Sequence, residues 1–172
     1  LDTGEGARDG LTIEKLAKLR PAFIKGGSVT AGNSSSLNDG AAAVVLMSRK
    51  RAEELGVIPK LKVEGFAVAG LEPEIMGYAP KLSSEKLAKQ LGIGLTEIDM
   101  FEINEAFASQ ASAKKVNIYG GGISIGHPIG ATGCILTVKV LYELIRTNKK
   151  DAMISMCIGG GQGISMYFTK CE

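Results

Sequence analysis

A layered α/β fold, with a mixed sheet covered by helices, is predicted by three features of these 172 residues. Apolar runs at helical spacing alternate with short strand-like runs along most of the chain. The last such runs, in "DAMISMCIGGGQGISMYFTK", read as two strands joined by a glycine turn. Finally, 45% of the residues are hydrophobic, which is enough to bury one core or one lobe of a larger one.

The elements follow in order. "LTIEKLAKLRPAF" predicts a short helix that stops near Arg20, because Pro21 disfavours the helical region for the residue before it. "KGGSVTAGNSSSLNDG" is a loop by composition. From Ala41, "AAAVVLMSRKRAEELG" predicts a helix, buried at its start and charged at its end, closing at Gly56. "KLKVEGFAVAG" reads as a strand, "SSEKLAKQLG" as a helix with a serine cap, "IDMFEIN" as a strand and "EAFASQASAKK" as a helix. "GATGCILTVKVLYELIRTNKK" predicts a long helix before the final strand pair. No repeat, low-complexity tract or interdomain linker stands out.

Charge and cysteine usage exclude several classes. Twenty basic and eighteen acidic residues give a net charge of +2 and are interspersed, so no nucleic-acid surface is expected, while a small anionic ligand is allowed. The longest apolar runs are too short to span a bilayer, and no signal-peptide pattern opens the chain. A soluble protein of the cell interior is expected, without a membrane partner. Cys134, Cys157 and Cys171 are odd in number and lack metal-ligand spacing, so free thiols are expected, with no disulfide framework and no metal site. The chain begins at Leu1 and opens like the middle of a longer sequence.

Three stretches carry chemistry. In "YGGGISIGHPIGATG" the single histidine, His127, stands between Gly126 and Pro128. Pro128 pushes it toward an extended conformation, and Gly126 lets another group approach closely. A helix from about Ile129 would aim its first amides at the same place. A structural histidine in a glycine-rich turn is the alternative. In "MCIGGGQG", Cys157 ends an apolar strand before Gly159, Gly160 and Gly161, whose amides can face a substrate oxygen. A small buried hydrophobe is the commoner fate of such a cysteine. In "NEAFASQ", Asn104 and Glu105 stand where a strand meets the next element, a place where side chains often face a site; a helix cap is the other reading of Asn104.

Taken together, "NEAFA", "GGGISIGHPIGATG" and "CIGGGQG", in that order, resemble the thiolase family, enzymes that make or cleave the carbon–carbon bond of 3-ketoacyl-CoA. "LAKLRPAF", "TAGNSSSLNDGAA" and "EIMG" match its flanking pieces. The resemblance covers nearly the whole chain but only the C-terminal portion of a thiolase. It implies a thiolase C-terminal domain over residues 1–172, with the end of the preceding region at about 1–35. It further implies a thiolase-like fold and acetyl-CoA acetyltransferase chemistry in fatty acid metabolism, with a nucleophilic cysteine in an N-terminal half that none of the three cysteines here replaces by motif.

The resemblance also implies roles. His127 activates the nucleophilic thiol and helps hold the thioester oxygen, and Cys157 moves the α-proton of acetyl-CoA. Asn104 carries a water at the first oxyanion hole, and the amide of Gly159 serves the second. Both His127 and Cys157 would then lie at the C-terminal edge of one sheet, within several ångströms of each other side chain to side chain, around a common centre. For coenzyme A, which enters as substrate rather than as a tightly bound cofactor, the resemblance implies Ser35 with Ala31 and Gly32 at the pantetheine. Phe23, Met76 and Phe107 would form an apolar lining, and Arg8 would lie near the nucleotide end. Core packing and a solvated charge are the respective alternatives for the apolar residues and for Arg8. The implied partners are an acyl-CoA, the N-terminal half, and further copies in a homodimer or homotetramer. The implied place is the cytoplasm, with mitochondrion and peroxisome left open. "ASAKKVNIYGG" is shorter than its family counterpart by roughly two helical turns plus a loop, which predicts a break in space near Lys115 and Val116. A thiolase-like domain that binds CoA or a partner without catalysis is the alternative function.

Overall fold

The computed structural model describes residues 8–110 and 115–171. Strands β1 (Leu61–Gly70), β2 (Phe101–Ile103), β3 (Asp151–Ile158) and β4 (Gln162–Lys170) form one sheet in the order β1-β4-β3-β2. β4 runs antiparallel to both β1 and β3, while β2 runs parallel to β3. The sheet is thus mixed, as predicted, and β3 and β4 form the closing hairpin.

Helices α1 (Ile13–Ala17), α2 (Arg49–Leu55), α3 (Ala79–Leu91), α4 (Gly122–Ile125) and α5 (Thr132–Thr147) complete the framework. Thr12 caps α1 by accepting from the Lys15 amide, and the helix stops ahead of Pro21 as its sequence requires. Both α2 and α3 end on a glycine in the left-handed region, Gly56 and Gly92, whose amides close the last turn.

The two long helices cover opposite faces. Period-two alternation on β3 sends Ala152 and Ile154 toward Leu136, Val140 and Leu144 of α5, and Met153 toward Leu87 of α3. The α3 face also buries four serines. Ser165 of β4 meets Ser83 at 2.7 Å, Ser155 at 2.8 Å and Ser84 at 3.0 Å, so each hydroxyl finds a partner without water.

Several expected elements differ. Residues 41–48 form no regular secondary structure and are largely exposed, and helix begins only at Arg49 behind a Ser48 cap. Alanine supplies helical propensity there, but only Ala41 and Ala42 face α5, across a cavity, no described residue buries the rest, and the β-branched Val44 and Val45 weaken the helix. In the segment beginning "SSEK" the serines do not cap: the helix starts a turn earlier at Ala79, where Pro80 fits the first turn, and Ser83 and Ser84 lie buried inside it. Residues 104–107 are not helical, because their backbone groups are bonded sideways. The Asn104 amide donates to Ser155, the Ala106 carbonyl accepts from Ser35, and Phe107 bridges Ser34. Only a 3-10 turn at Ala108–Gln110 follows, and residues 111–114 of the expected helix lie outside the described ones. Lys115 to Asn117 run on without a break, while residues 111–114, on which the expected break also falls, lie outside the described ones. The Phe101 amide donates to the Lys115 carbonyl at 2.9 Å and the Asn117 amide to the Phe101 carbonyl at 3.0 Å, a pattern that needs one continuous extended segment.

Candidate active site

Both chemical groups stand at the C-terminal edge of the parallel pair β2 and β3. Asn104 follows the last residue of β2 and is buried, with its amide N–H fixed at 2.9 Å on the Ser155 carbonyl. Its side-chain Nδ2 lies 3.4 Å from His127 Nε2. The other ring nitrogen, Nδ1, lies 2.7 Å from the hydroxyl of Thr132, and that hydroxyl donates to the Pro128 carbonyl at 3.0 Å.

These contacts fit one tautomer. A threonine hydroxyl carries one proton, and when that proton goes to Pro128, Thr132 Oγ1 accepts from Nδ1–H. In the neutral ring Nε2 is then the bare lone pair, and Asn104 donates to it. Burial pushes His127 below its ordinary value of 6.5 and favours that neutral form. The ring is therefore a base with its basic nitrogen aimed at Asn104. The expected helix amides do not reach it: α5 begins at Thr132 after a turn closed by the Ala131 and Thr132 amides on the Pro128 carbonyl. A hydroxyl from the first residue of α5 performs the orienting instead.

The glycines make room for this. Gly126 has φ +85°, and a Cβ there would stand 2.2 Å from Asn38 Oδ1. At Gly122 a Cβ would stand 2.8 Å from the Glu105 carbonyl and 3.1 Å from Asn104 Oδ1. The loop of Ser34–Leu37 is threaded between the two sides. The Ser35 amide donates to the Ala106 carbonyl at 2.8 Å, and the His127 amide donates to the Ser36 carbonyl at 3.0 Å.

Cys157 belongs to the other side of the edge. It is buried near the end of β3 and shares its alternation with Met153 and Ser155, toward α3. Its sulfur accepts from Gln110 Nε2 at 3.4 Å, and no hydrogen bond joins it to His127. The two groups are connected through residues 104–110, which carry Asn104 at one end and Gln110 at the other. Gly159 sits exposed in the hairpin turn, with open space where a Cβ would be.

Behind Asn104, the fully buried Glu102 pairs with Lys139 of α5 at 2.5 Å, and Lys139 also donates to the Gly120 carbonyl at 2.8 Å. Burial pushes the Glu102 carboxyl above the usual carboxylate range, against the pull of the Lys139 ammonium. Burial likewise raises Glu105.

Of the residues expected at coenzyme A, Met76 and Phe107 line a cleft of about 980 Å³ together with Asn33, Gly77 and Gln110. Ser35 and the neighbouring Gly32 are half-buried; Gly32 packs so closely on Leu16 and Leu19 that a Cβ would come within 2.7 Å of both. Phe23, Ala31 and Arg8 are exposed and do not line the cleft. The sequence reading passed over Thr132 and Gln110. Thr132 could have been found from its place five residues after the histidine, at the head of a helix; Gln110 had no local signal.

The chain matches the thiolase C-terminal domain over residues 57–170 and the thiolase N-terminal domain over residues 1–50. It belongs to the thiolase family. It is 48% identical to an acetyl-CoA acetyltransferase of Pseudomonas aeruginosa, over 98% of this chain and 45% of that protein. It is 46% identical to a 3-ketoacyl-CoA thiolase of Bacillus subtilis, over 97% of this chain and 45% of that protein. Among solved structures, the Bacillus anthracis acetyl-CoA acetyltransferase superposes with a TM-score of 0.90 at 43% identity, covering 97% of this chain and 45% of the other. The human mitochondrial 3-ketoacyl-CoA thiolase in complex with CoA gives a TM-score of 0.87 at 38% identity, covering 98% and 45%. The chain thus spans about 45% of the length of these relatives.

Proposed function

We propose that this chain supplies the histidine, cysteine and asparagine part of an acyl-CoA C-acyltransferase site. The reaction is condensation of two acetyl-CoA to acetoacetyl-CoA, or the reverse thiolytic cleavage of a 3-ketoacyl-CoA. The observation that carries this reading is the His127 ring held between Thr132 Oγ1 at 2.7 Å from Nδ1 and Asn104 Nδ2 at 3.4 Å from Nε2, at the same strand edge as Cys157. The nucleophilic cysteine is assigned to an N-terminal half.

In the forward direction His127 Nε2 takes the proton of that nucleophilic thiol. The thiolate attacks the thioester carbonyl, the acyl–sulfur bond to the enzyme forms, and CoA leaves as its thiol with the proton of Cys157, so that Cys157 becomes the thiolate and His127 keeps its Nε2–H. A second acetyl-CoA then loses an α-proton to the Cys157 thiolate. The resulting carbanion forms the carbon–carbon bond to the acyl group as the nucleophile's sulfur departs. The enolate oxygen is held between His127 and a water on Asn104, and the amide of Gly159 contributes to the second oxyanion hole. Acyl-CoA enters along the cleft beside Met76 and Phe107, with Ser35 near the pantetheine. The assembly is a homodimer or homotetramer, and its place is the cytoplasm.

The test uses the protein completed with its N-terminal half. Cys157→Ala abolishes exchange of the acetyl-CoA α-protons with solvent deuterium, read by mass spectrometry, while acylation of the nucleophile persists. Undiminished exchange in that variant overturns the assignment of Cys157 as the base.

A further inference from the structure

Gln110 is the last residue of "NEAFASQ", where only Asn104 and Glu105 drew a role, and its side-chain amide is fixed at both ends. Oε1 accepts from the Phe107 amide at 2.9 Å, and Nε2 donates to the Gly77 carbonyl at 2.9 Å. Turning the amide over would set oxygen against the Gly77 carbonyl and NH₂ against the Phe107 N–H, so only one orientation satisfies both neighbours. The second Nε2 hydrogen is then directed at Cys157 Sγ, 3.4 Å away. The carbonyl that holds it sits in the 3-10 turn Pro73–Tyr78, which leads directly into α3, so the contact has a rigid anchor. Among the described residues, no other hydrogen bond or ion pair reaches the sulfur. The ionisable groups on the surrounding described elements include Glu105 on the same segment, His127 beyond the strand ends, and Glu74, Tyr78 and Lys81 on the cleft wall. Glu74 and Lys81 are exposed, and Lys81 is paired with Glu85 at 2.7 Å.

From this geometry we infer that Gln110 is a positioning residue for Cys157: its oriented N–H holds the sulfur in place at the strand end. A charged sulfur accepts a hydrogen bond far more strongly than a neutral one, so the contact strengthens when the proton leaves. The inference rests on the reading of Cys157 as the proton-transferring group, but the contact itself can be tested without turnover.

The test is alkylation of the full 172-residue chain by iodoacetamide along a pH series, with each cysteine peptide followed by mass spectrometry. Only the thiolate reacts. The plateau rate reads access to the sulfur, and the pH of half-maximal rate reads the N–H contact. Gln110→Leu moves that midpoint for Cys157 upward by about 0.5 to 1 pH unit, which is roughly three- to tenfold less thiolate at a fixed pH on the acid side. Gln110→Glu moves it further, because a carboxylate offers no N–H and adds like charge. Cys134 and Cys171 keep their profiles and serve as references within the same sample. A purely structural role would change the plateau and leave the midpoint alone. If Gln110→Leu unfolds the chain, all three cysteines converge on one profile, and Gln110→Glu, which keeps the shape and the acceptor for Phe107, decides. A Cys157 midpoint unmoved in the folded variants overturns the inference. A shifted midpoint together with undiminished α-proton exchange in Cys157→Ala overturns the reading of the base and leaves the Gln110 contact standing.

Discussion

Residues 8–58 and residues 61–171 are similarly rich in apolar side chains, yet they fold on different terms. In the second region α3 and α5 sandwich the sheet, and Val140, Leu144, Met153 and Met100 are wholly buried. In the first, Ala52 is the only buried residue among those described, while Phe23 is 80% and Val45 83% exposed. The difference teaches that an apolar run is an offer of burial, and that a facing surface must accept it. "AAAVVLM" is apolar throughout, while "DAMISM" carries an aspartate and a serine. The more apolar run lies largely exposed without regular structure, and the less apolar one is an inner strand of the sheet between two helices.

The sharpest way to break this comparison is to damage the region that does the burying. Lys139→Met leaves the Glu102 carboxylate fully buried without its partner. We expect a loss of about 3–5 kcal/mol in urea unfolding, the usual cost of removing one member of a buried pair. A loss below about 1 kcal/mol would show that the pair is as expendable as a surface one.

A smaller effect follows from pH. Burial lowers the folded-state value of His127 below its ordinary 6.5, so in the window below 6.5 the unfolded chain binds more protons than the folded one. Stability therefore falls as pH drops through that window, and His127→Gln flattens that part of the fall, as urea midpoints measured above and below pH 6.5 will show. A steeper acid loss in the variant would mean that the ring is stabilised in its charged form.

The smallest effect belongs to the uncovered region. Val45→Ser is expected to change the unfolding free energy by no more than about 0.5 kcal/mol, because nothing is packed on that side chain. A loss of 2 kcal/mol or so, the cost of emptying a core position, would erase the distinction between the two regions.

The same contrast explains what was legible in the sequence. The strands β1, β3 and β4 and helix α5 could be read because their periodicity and their burial agree, and His127, Asn104 and Cys157 could be read because glycine and strand ends mark them. The helix expected from Ala41 could not be corrected locally, since Ala41–Met47 is helix-like in composition and only the absence of a covering face decides. Asn104–Phe107 escaped for the opposite reason: partners distant in sequence, Ser155, Ser34 and Ser35, take up the backbone groups that a helix would have used internally. Gln110 was invisible because its meaning depends on Gly77 and Cys157, 33 and 47 positions away.

The four buried serines between α3 and the sheet have a mechanical consequence. Hydroxyls bonded to one another at 2.7 to 3.0 Å hold two surfaces closer than branched apolar side chains could, and they resist sliding because each bond is directional. Ser155 lies two residues before Cys157, and Ser83 lies one turn into the helix that follows Gly77. The joint thus clamps the strand bearing the thiol to the helix whose leading turn fixes Gln110. Thermal motion at this end of the sheet should therefore carry the sulfur and its hydrogen-bond donor together as one body, so that their spacing stays nearly constant while the surrounding loops breathe.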